Sequence, residues 1–114
     1  MANTVVQARK EHEERRQDML DSVKNKCGIP AAITTYDDQI QDYIEDALED
    51  MRNSGVPYNI CNENTDDKRV ITAVTLYVKA NLGDDPDNYE SYLRRYKAKV
   101  FRLTMEPGED DDVE

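Results

Sequence analysis

The side chains that most often carry catalysis or bind metals are few and scattered in this sequence. His12 is the only histidine, and it lies in a polar stretch, Gln7–Asp18, that has no large apolar residue. The two cysteines, Cys27 and Cys61, lie far apart and belong to no Cys-x-x-Cys pair. A metal site or a nucleophile–base pair needs such residues together in a core. We therefore interpret His12 as a solvated surface residue and both cysteines as buried apolar side chains, with a disulfide as the alternative.

Carboxylates are abundant, but their spacing does not predict a site. The segment Asp84–Asn88 is similar to the start of a calcium loop, yet it lacks the glycine of the sharp turn and the closing bidentate glutamate. Asp85 before Pro86 is better explained as a helix cap. Asp110–Asp112 offers magnesium no preformed geometry, and the four isolated glycines form no phosphate-binding loop. We predict no catalytic residue, no cofactor and no metal, and hence no enzyme.

The hydrophobic segments are too short for a membrane protein. The longest mostly apolar stretch, Val70–Val78, is interrupted by two threonines, whereas a membrane-spanning helix needs about 20 apolar residues. The N-terminus shows neither the apolar block nor the small-residue cleavage site of a secretory signal. We expect no contact with a membrane.

Four segments have helical periodicity and none alternates with a period of two, so the sequence predicts an all-α fold, a small bundle of about four helices. In the second segment we expect Thr35 to cap the helix, with Asp38 completing a capping box, and Gly55 and Pro57 to end it. One face of this helix is apolar. Its members are Tyr36, Ile40, Tyr43, Ile44, Ala47, Leu48 and Met51.

The third and fourth helices differ in how their apolar residues are distributed. The third is expected to start with a cap among Asn64, Thr65 and Asp66, to end at Leu82, and to lie in the middle because it is apolar almost all round. The fourth is expected to start at Asp85-Pro86. Its predicted inner face consists of Tyr89, Tyr92, Leu93, Tyr96, Val100 and Leu103.

Three regions follow from these patterns. Residues 1–18 form a polar N-terminal extension, for which both a projecting helix and a frayed end remain open. Residues 19–105 form the helical domain. Residues 106–114, EPGEDDDVE, are too charged to pack and are expected to form a disordered, mobile acidic tail.

The formal charge of −10 is unevenly distributed. Residues 27–67 carry −9 and residues 68–105 carry +4. On the second helix, spacings of three and four residues place four carboxylates opposite the apolar face; this acidic stripe is Asp38, Asp42, Glu45 and Glu49. The fourth helix carries Arg94, Arg95, Lys99 and Arg102 outside its inner face. A chain with two such surfaces can dock head to tail with its own copies.

The region from residue 19 to residue 105 resembles the small head–tail connector proteins of tailed bacteriophages, also called head completion or DNA-packaging adaptor proteins. The resemblance rests on Val-Lys-x-x-x-Gly-Ile-Pro at residues 23–30, the long acidic second helix, the Gly-Val-Pro-Tyr turn at residues 55–58, the apolar third helix, and Tyr-x-x-x-Leu-x-x-Tyr at residues 89–96.

The resemblance implies a virion protein at the head–tail interface, assembled in the host cytoplasm. About a dozen copies would form a ring beneath the portal protein, extend the DNA channel and provide a docking platform for a tail-side completion or stopper protein. DNA would pass through without sequence-specific binding. The acidic stripe would face either the neighbour's arginines or the channel, where carboxylates keep DNA from adhering.

Two other classes of function remain open at this point. An acidic DNA mimic would occupy the groove of a nucleic-acid-binding protein, and the spread of carboxylates over a small chain agrees with it, whereas the basic fourth helix does not. A small helical regulatory subunit is the other alternative. A mimic would be a monomer or dimer, whereas a connector should form large species with its own copies or with portal protein.

Overall fold

The computed structural model describes residues 17–83 and 85–105. Within them the chain forms four α-helices and no strand, which confirms the all-α bundle. We number them α1 (described over residues 17–26), α2 (Asp37–Asn53), α3 (Lys68–Leu82) and α4 (Pro86–Leu103). Residues 17 and 18 are helical, but the rest of the N-terminal extension and the acidic tail lie outside the described residues.

α3 is the central helix. It packs against both α2 and α4, and nearly half of its residues are buried: Val70, Ala73, Val74, Thr75, Leu76, Val78 and Ala80. The one buried polar side chain among these, Thr75, donates its hydroxyl to the carbonyl of Ile71 at 2.8 Å and so needs no outside partner. The central position predicted from the all-round apolar pattern is confirmed.

The core draws on all four helices and on the loop after α2. α1 contributes Met19, Leu20 and Val23, and the loop contributes Val56 and Cys61. The residues predicted for the apolar faces of α2 and α4 are buried or half-buried, with two exceptions. Tyr36 is 48% exposed and Tyr89 is 42% exposed, because each lies at or before the first turn of its helix, beyond the packed region.

The two Gly-apolar-Pro segments end helices in the same way. After α1, Gly28 (φ 77°) donates to the Asn25 carbonyl, and the amide of Ile29 donates to the Lys24 carbonyl at 2.9 Å. After α2, the amide of Gly55 (φ 108°) donates to the Arg52 carbonyl, and the amide of Val56 donates to the Met51 carbonyl. Both are Schellman motifs, in which glycine adopts the left-handed conformation and the apolar residue after it turns the chain back onto the helix.

The helix starts agree with the predictions in part. Asp85 caps α4 by accepting a hydrogen bond from the amide of Asp87 at 2.9 Å, as expected. α3 is capped by Asp67, one residue beyond the three predicted candidates, and its carboxylate accepts from the amide of Arg69. The predicted Thr35 cap of α2 is wrong: Tyr36 occupies the cap position, and its side chain makes no capping hydrogen bond.

A buried lysine accounts for the start of α2. Lys24 of α1 is 1% exposed, and its Nζ donates to the carbonyls of Ala31 at 3.2 Å and Ile33 at 2.8 Å. The same nitrogen lies 2.7 Å from Oδ1 of Asp37, the first residue of α2. One ammonium group therefore ties the α1–α2 loop and the first turn of α2 to α1.

Candidate interaction surfaces

The acidic stripe lies along one face of α2. Asp38, Asp42, Glu45 and Glu49 are all exposed, on the side opposite the residues that α2 buries against the bundle. The helical period alone produces this arrangement, because residues three and four apart lie on the same side of a helix. The stripe is thus an accessible surface with a high density of negative charge.

The C-terminal half of the stripe borders a concave surface that sequence reasoning missed. α2 and the loop that follows it enclose an open groove of about 590 Å³, here called the acidic groove. The Arg52 guanidinium lies 5.8 Å from the centroid of the Tyr58 ring, and its Nη1 donates to the Cys61 carbonyl at 3.3 Å. The lining residues are Glu45, Leu48, Glu49, Arg52, Tyr58, Asn62, Glu63 and Asn64.

The predicted basic residues of α4 do not form a single patch. Arg95, Lys99 and Arg102 are spaced four and three residues apart and share one side of the helix, whereas Arg94 lies on the adjacent side. The three arginines are exposed and Lys99 is half-buried. Arg95 lies 5.9 Å from the centroid of the Tyr92 ring. α4 therefore presents positive charge over a broad part of its circumference.

The structure adds a residue of α3 to this basic surface. α3 and α4 pack together and are joined only by residues 83–85, so the first turn of α3 lies beside the last turn of α4. There Arg69 joins Lys99 and Arg102 around a groove of about 250 Å³, with Leu103 in its wall. No pattern within α4 could have indicated Arg69, because it comes from another helix.

Arg69 is held in place by the residue that caps its own helix. Its Nε and Nη2 donate to the two carboxylate oxygens of Asp67 at 3.1 and 2.7 Å. This side-chain hydrogen bond lowers the pKa of Asp67 below its ordinary value. The charge of Arg69 is thus largely balanced locally, and Lys99 and Arg102 supply most of the groove's positive charge.

The surface carries several large apolar side chains besides Tyr36 and Tyr89. Phe101 and Met105, one helical turn apart on the outer side of α4, are 62% and 68% exposed. Tyr58, in the loop after α2, is 70% exposed, although Val56 and Cys61 of the same loop are buried. Phe101 is absent from the predicted inner face, and the structure places it among the basic residues of α4.

Both cysteines are free thiols, so the disulfide alternative is wrong. Cys61 is buried, as predicted, and its Sγ lies 3.5 Å from the Leu48 carbonyl, which accepts its hydrogen. Burial raises the pKa of the Cys61 thiol to about 11. Cys27 is half-buried against the core, and burial raises its pKa as well. His12 lies outside the described residues.

No described helix is long and apolar enough to cross a membrane. Among residues 17–83 and 85–105, no group of three or more His, Cys, Asp or Glu side chains is placed to hold a metal ion.

Comparison with known proteins identifies the family. No curated protein and no solved structure matches the chain significantly. Residues 19–110 match the family model described as phage connector protein. This range includes most of α1, all of α2, α3 and α4, and most of the chain. That family implies a structural component of the virion that interacts with other virion proteins. The chain therefore belongs to the phage connector family and is a phage head–tail connector protein.

Proposed function

We propose that this connector assembles head to tail into a ring of about a dozen copies beneath the portal protein. The ring extends the DNA channel and offers a docking platform for a tail-side completion or stopper protein, and the subunit has no enzymatic activity. Assembly takes place in the host cytoplasm. The observation that carries this proposal is the presence of two exposed, oppositely charged surfaces on different helices of one small bundle.

A ring of identical subunits needs two different surfaces that complement each other. The acidic stripe of α2 and the basic residues of α4 meet this requirement. The stripe and the three arginines of α4 are exposed in the single chain, and Lys99 is half-buried, so folding leaves most of both surfaces accessible to a neighbouring copy. Opposite charges also accelerate the encounter of copies and disfavour contacts between like surfaces.

The acidic stripe has a second possible role in the same ring. Carboxylates that line the channel would keep duplex DNA from adhering, since they offer no cation to replace the counterions of the phosphates. The first role makes the stripe essential for the contact between copies, whereas the second leaves that contact independent of it. A charge-reversal experiment separates the two.

The experiment mixes the full chain with portal protein and counts copies per complex by electron microscopy and native mass spectrometry. Arg94→Glu with Arg95→Glu should abolish the ring. The control, Lys26→Glu with Lys68→Glu, makes the same charge change at exposed positions outside both surfaces and should assemble as the wild type does. Adding Glu45→Lys and Glu49→Lys to the Arg94/Arg95 variant should restore assembly if the stripe is the partner surface.

The results distinguish a contact between copies, a channel lining and a DNA mimic. If the Arg94/Arg95 variant forms rings as the wild type does, the stripe does not bind these arginines, and the channel lining remains as its role. A wild-type chain that neither self-associates nor binds portal protein, but competes with DNA for a nucleic-acid-binding protein, would exclude the connector ring and favour a DNA mimic.

A further inference from the structure

The exposed side of α4 carries an apolar ridge between positive charges. Ala98, Phe101 and Met105 follow one another at spacings of three and four residues, so they lie along one line on the helix. All three are exposed. Lys97 precedes Phe101 by one turn and Arg94 lies one turn before Ala98, on the same side. The ridge is therefore an apolar protrusion flanked by cations.

The acidic groove has the opposite properties. It is concave, with a volume of about 590 Å³. Leu48 and the exposed ring of Tyr58 supply apolar surface in its lining, while Glu45, Glu49 and Glu63 supply three carboxylates against the single guanidinium of Arg52. A ligand that suits this recess has an aromatic or aliphatic centre with positive charges beside it.

Phe101 cannot be the occupant of the groove within its own chain. Its side chain is 62% exposed, and α4 reaches α2 through the buried Tyr96, on the other side of the helix from Phe101. Contact between the ridge and the groove must therefore join two copies. Because ridge and groove are different surfaces, the contact is heterologous, and an open row of copies keeps a free ridge at one end and a free groove at the other until the ring closes.

We propose that Phe101 of one copy inserts into the acidic groove of the next copy and lies against Tyr58 and Leu48. This inference rests on the proposed ring and specifies its contact between subunits. A phenylalanine buries about 150–250 Å², and aromatic side chains in central pockets contribute a large share of the affinity of protein interfaces. Lys97 and Arg94 then lie near the groove's carboxylates and set the orientation.

Cysteine cross-linking tests the contact directly. Phe101→Cys and Asn64→Cys are placed in separate chains, both with Cys27→Ser, so that only Cys61, which is buried, remains as a native thiol. Under mild oxidation in the presence of portal protein, the mixture should give a covalent dimer, whereas each variant alone should not. The matched control is Ser91→Cys, which is exposed on α4 but about 15 Å along the axis from position 101. A mixture of Ser91→Cys with Asn64→Cys should give no dimer.

Loss of the apolar side chain tests its contribution. Phe101→Ser should weaken self-association about tenfold or more, and Phe101→Leu should weaken it less. Tyr36→Ser removes a comparably exposed aromatic side chain away from the groove and should leave self-association unchanged. Circular dichroism should show all three folded, since none of these side chains is buried.

The outcomes separate this inference from the proposed ring. If the Phe101→Ser variant forms rings as the wild type does, and Phe101→Cys gives no cross-link with Asn64→Cys, the Phe101 contact is overturned and the proposed ring stands. Rings that persist while Phe101→Ser loses a portal or tail-side partner would assign the ridge to that partner and overturn the contact between copies. A wild-type chain that never self-associates would overturn both.

Discussion

The hydroxyl of Tyr96 on α4 donates a hydrogen bond of 2.7 Å to Oδ2 of Asp50 on α2. Tyr96 is 2% exposed, and its ring lies 5.2 Å from that of Tyr77 on the central helix. One side chain thus links all three long helices. Burial and the neighbouring carboxylate raise the pKa of Tyr96 above its ordinary value, so the hydroxyl keeps its proton and remains a donor at neutral pH.

Tyr96→Phe should lower the free energy of unfolding by about 1 kcal/mol, because it removes this hydrogen bond and keeps the ring. Urea unfolding of the isolated chain measures the change. Tyr89→Phe is the matched control, since the Tyr89 side chain is exposed, and it should unfold at the wild-type midpoint. Equal midpoints for Tyr96→Phe and the wild type would show that hydration of Asp50 fully replaces the bond.

Lys24→Met should destabilise the fold by about 2–4 kcal/mol. The substitution leaves the carbonyls of Ala31 and Ile33 without their donor and the Asp37 carboxylate without its cation. Adding Asp37→Asn should recover part of the loss, because it removes the unpaired charge. Thermal unfolding of the single and the double variant measures both effects. A Lys24→Met variant as stable as the wild type would refute a stabilising role for Lys24.

Gly55→Ala should destabilise the fold by about 1 kcal/mol or more, because an L-residue is strained at a φ of 108°. A Cβ there would meet only Thr104 Cγ2, at 3.9 Å, so space is not the obstacle. Gly83→Ala is the control: that glycine has a φ of −85°, and the change should be neutral or slightly stabilising. Similar denaturation midpoints for the two variants would contradict the role of the left-handed conformation.

Stability should fall as pH rises from about 9 to about 11, in part because of Cys61. The folded-state pKa of its thiol is raised to about 11 from an ordinary value of 9.0, so the unfolded chain loses this proton first. The stabilising contribution is complete below pH 9 and is lost toward pH 11. Cys61→Ala should reduce the slope of stability against pH in this window.

Thiol titration provides an independent measurement on the same residue. At pH 8, an aromatic disulfide reagent should modify the half-buried Cys27 before Cys61, and Cys61 should react fully only when the chain unfolds. Two equally fast thiols in the folded chain would contradict the burial of Cys61.

The sequence predicted the helices well where the deciding interactions are local. Asp85 before Pro86 starts α4, because both the cap and the proline act within one turn. Gly28 and Gly55 end their helices by backbone geometry that involves only the last turn. The central position of α3 followed from apolar residues on nearly all its sides.

Predictions failed where residues distant in the chain decide the outcome. Thr35 has the chemistry of a cap, yet α2 starts at Asp37, whose carboxylate binds Lys24 of the preceding helix. The ion pair between Lys24 and Asp37 joins two helices, so it cannot be inferred from the spacing of residues within either helix. The cap of α3, by contrast, differs from the prediction by a single position and for a local reason: Asp67 caps the helix and also binds the side chain of Arg69, two residues further on.

The sequence by itself determined the helical segments, their buried faces and the separation of negative from positive charge, because these depend on residues within one or two turns of each other. Only the tertiary structure decided which surfaces those charges belong to. The acidic groove exists because the loop carrying Tyr58 folds back beside α2, and Arg69 joins the basic residues because α3 and α4 pack together. Such contacts between distant parts of the chain have no periodic signal in the sequence.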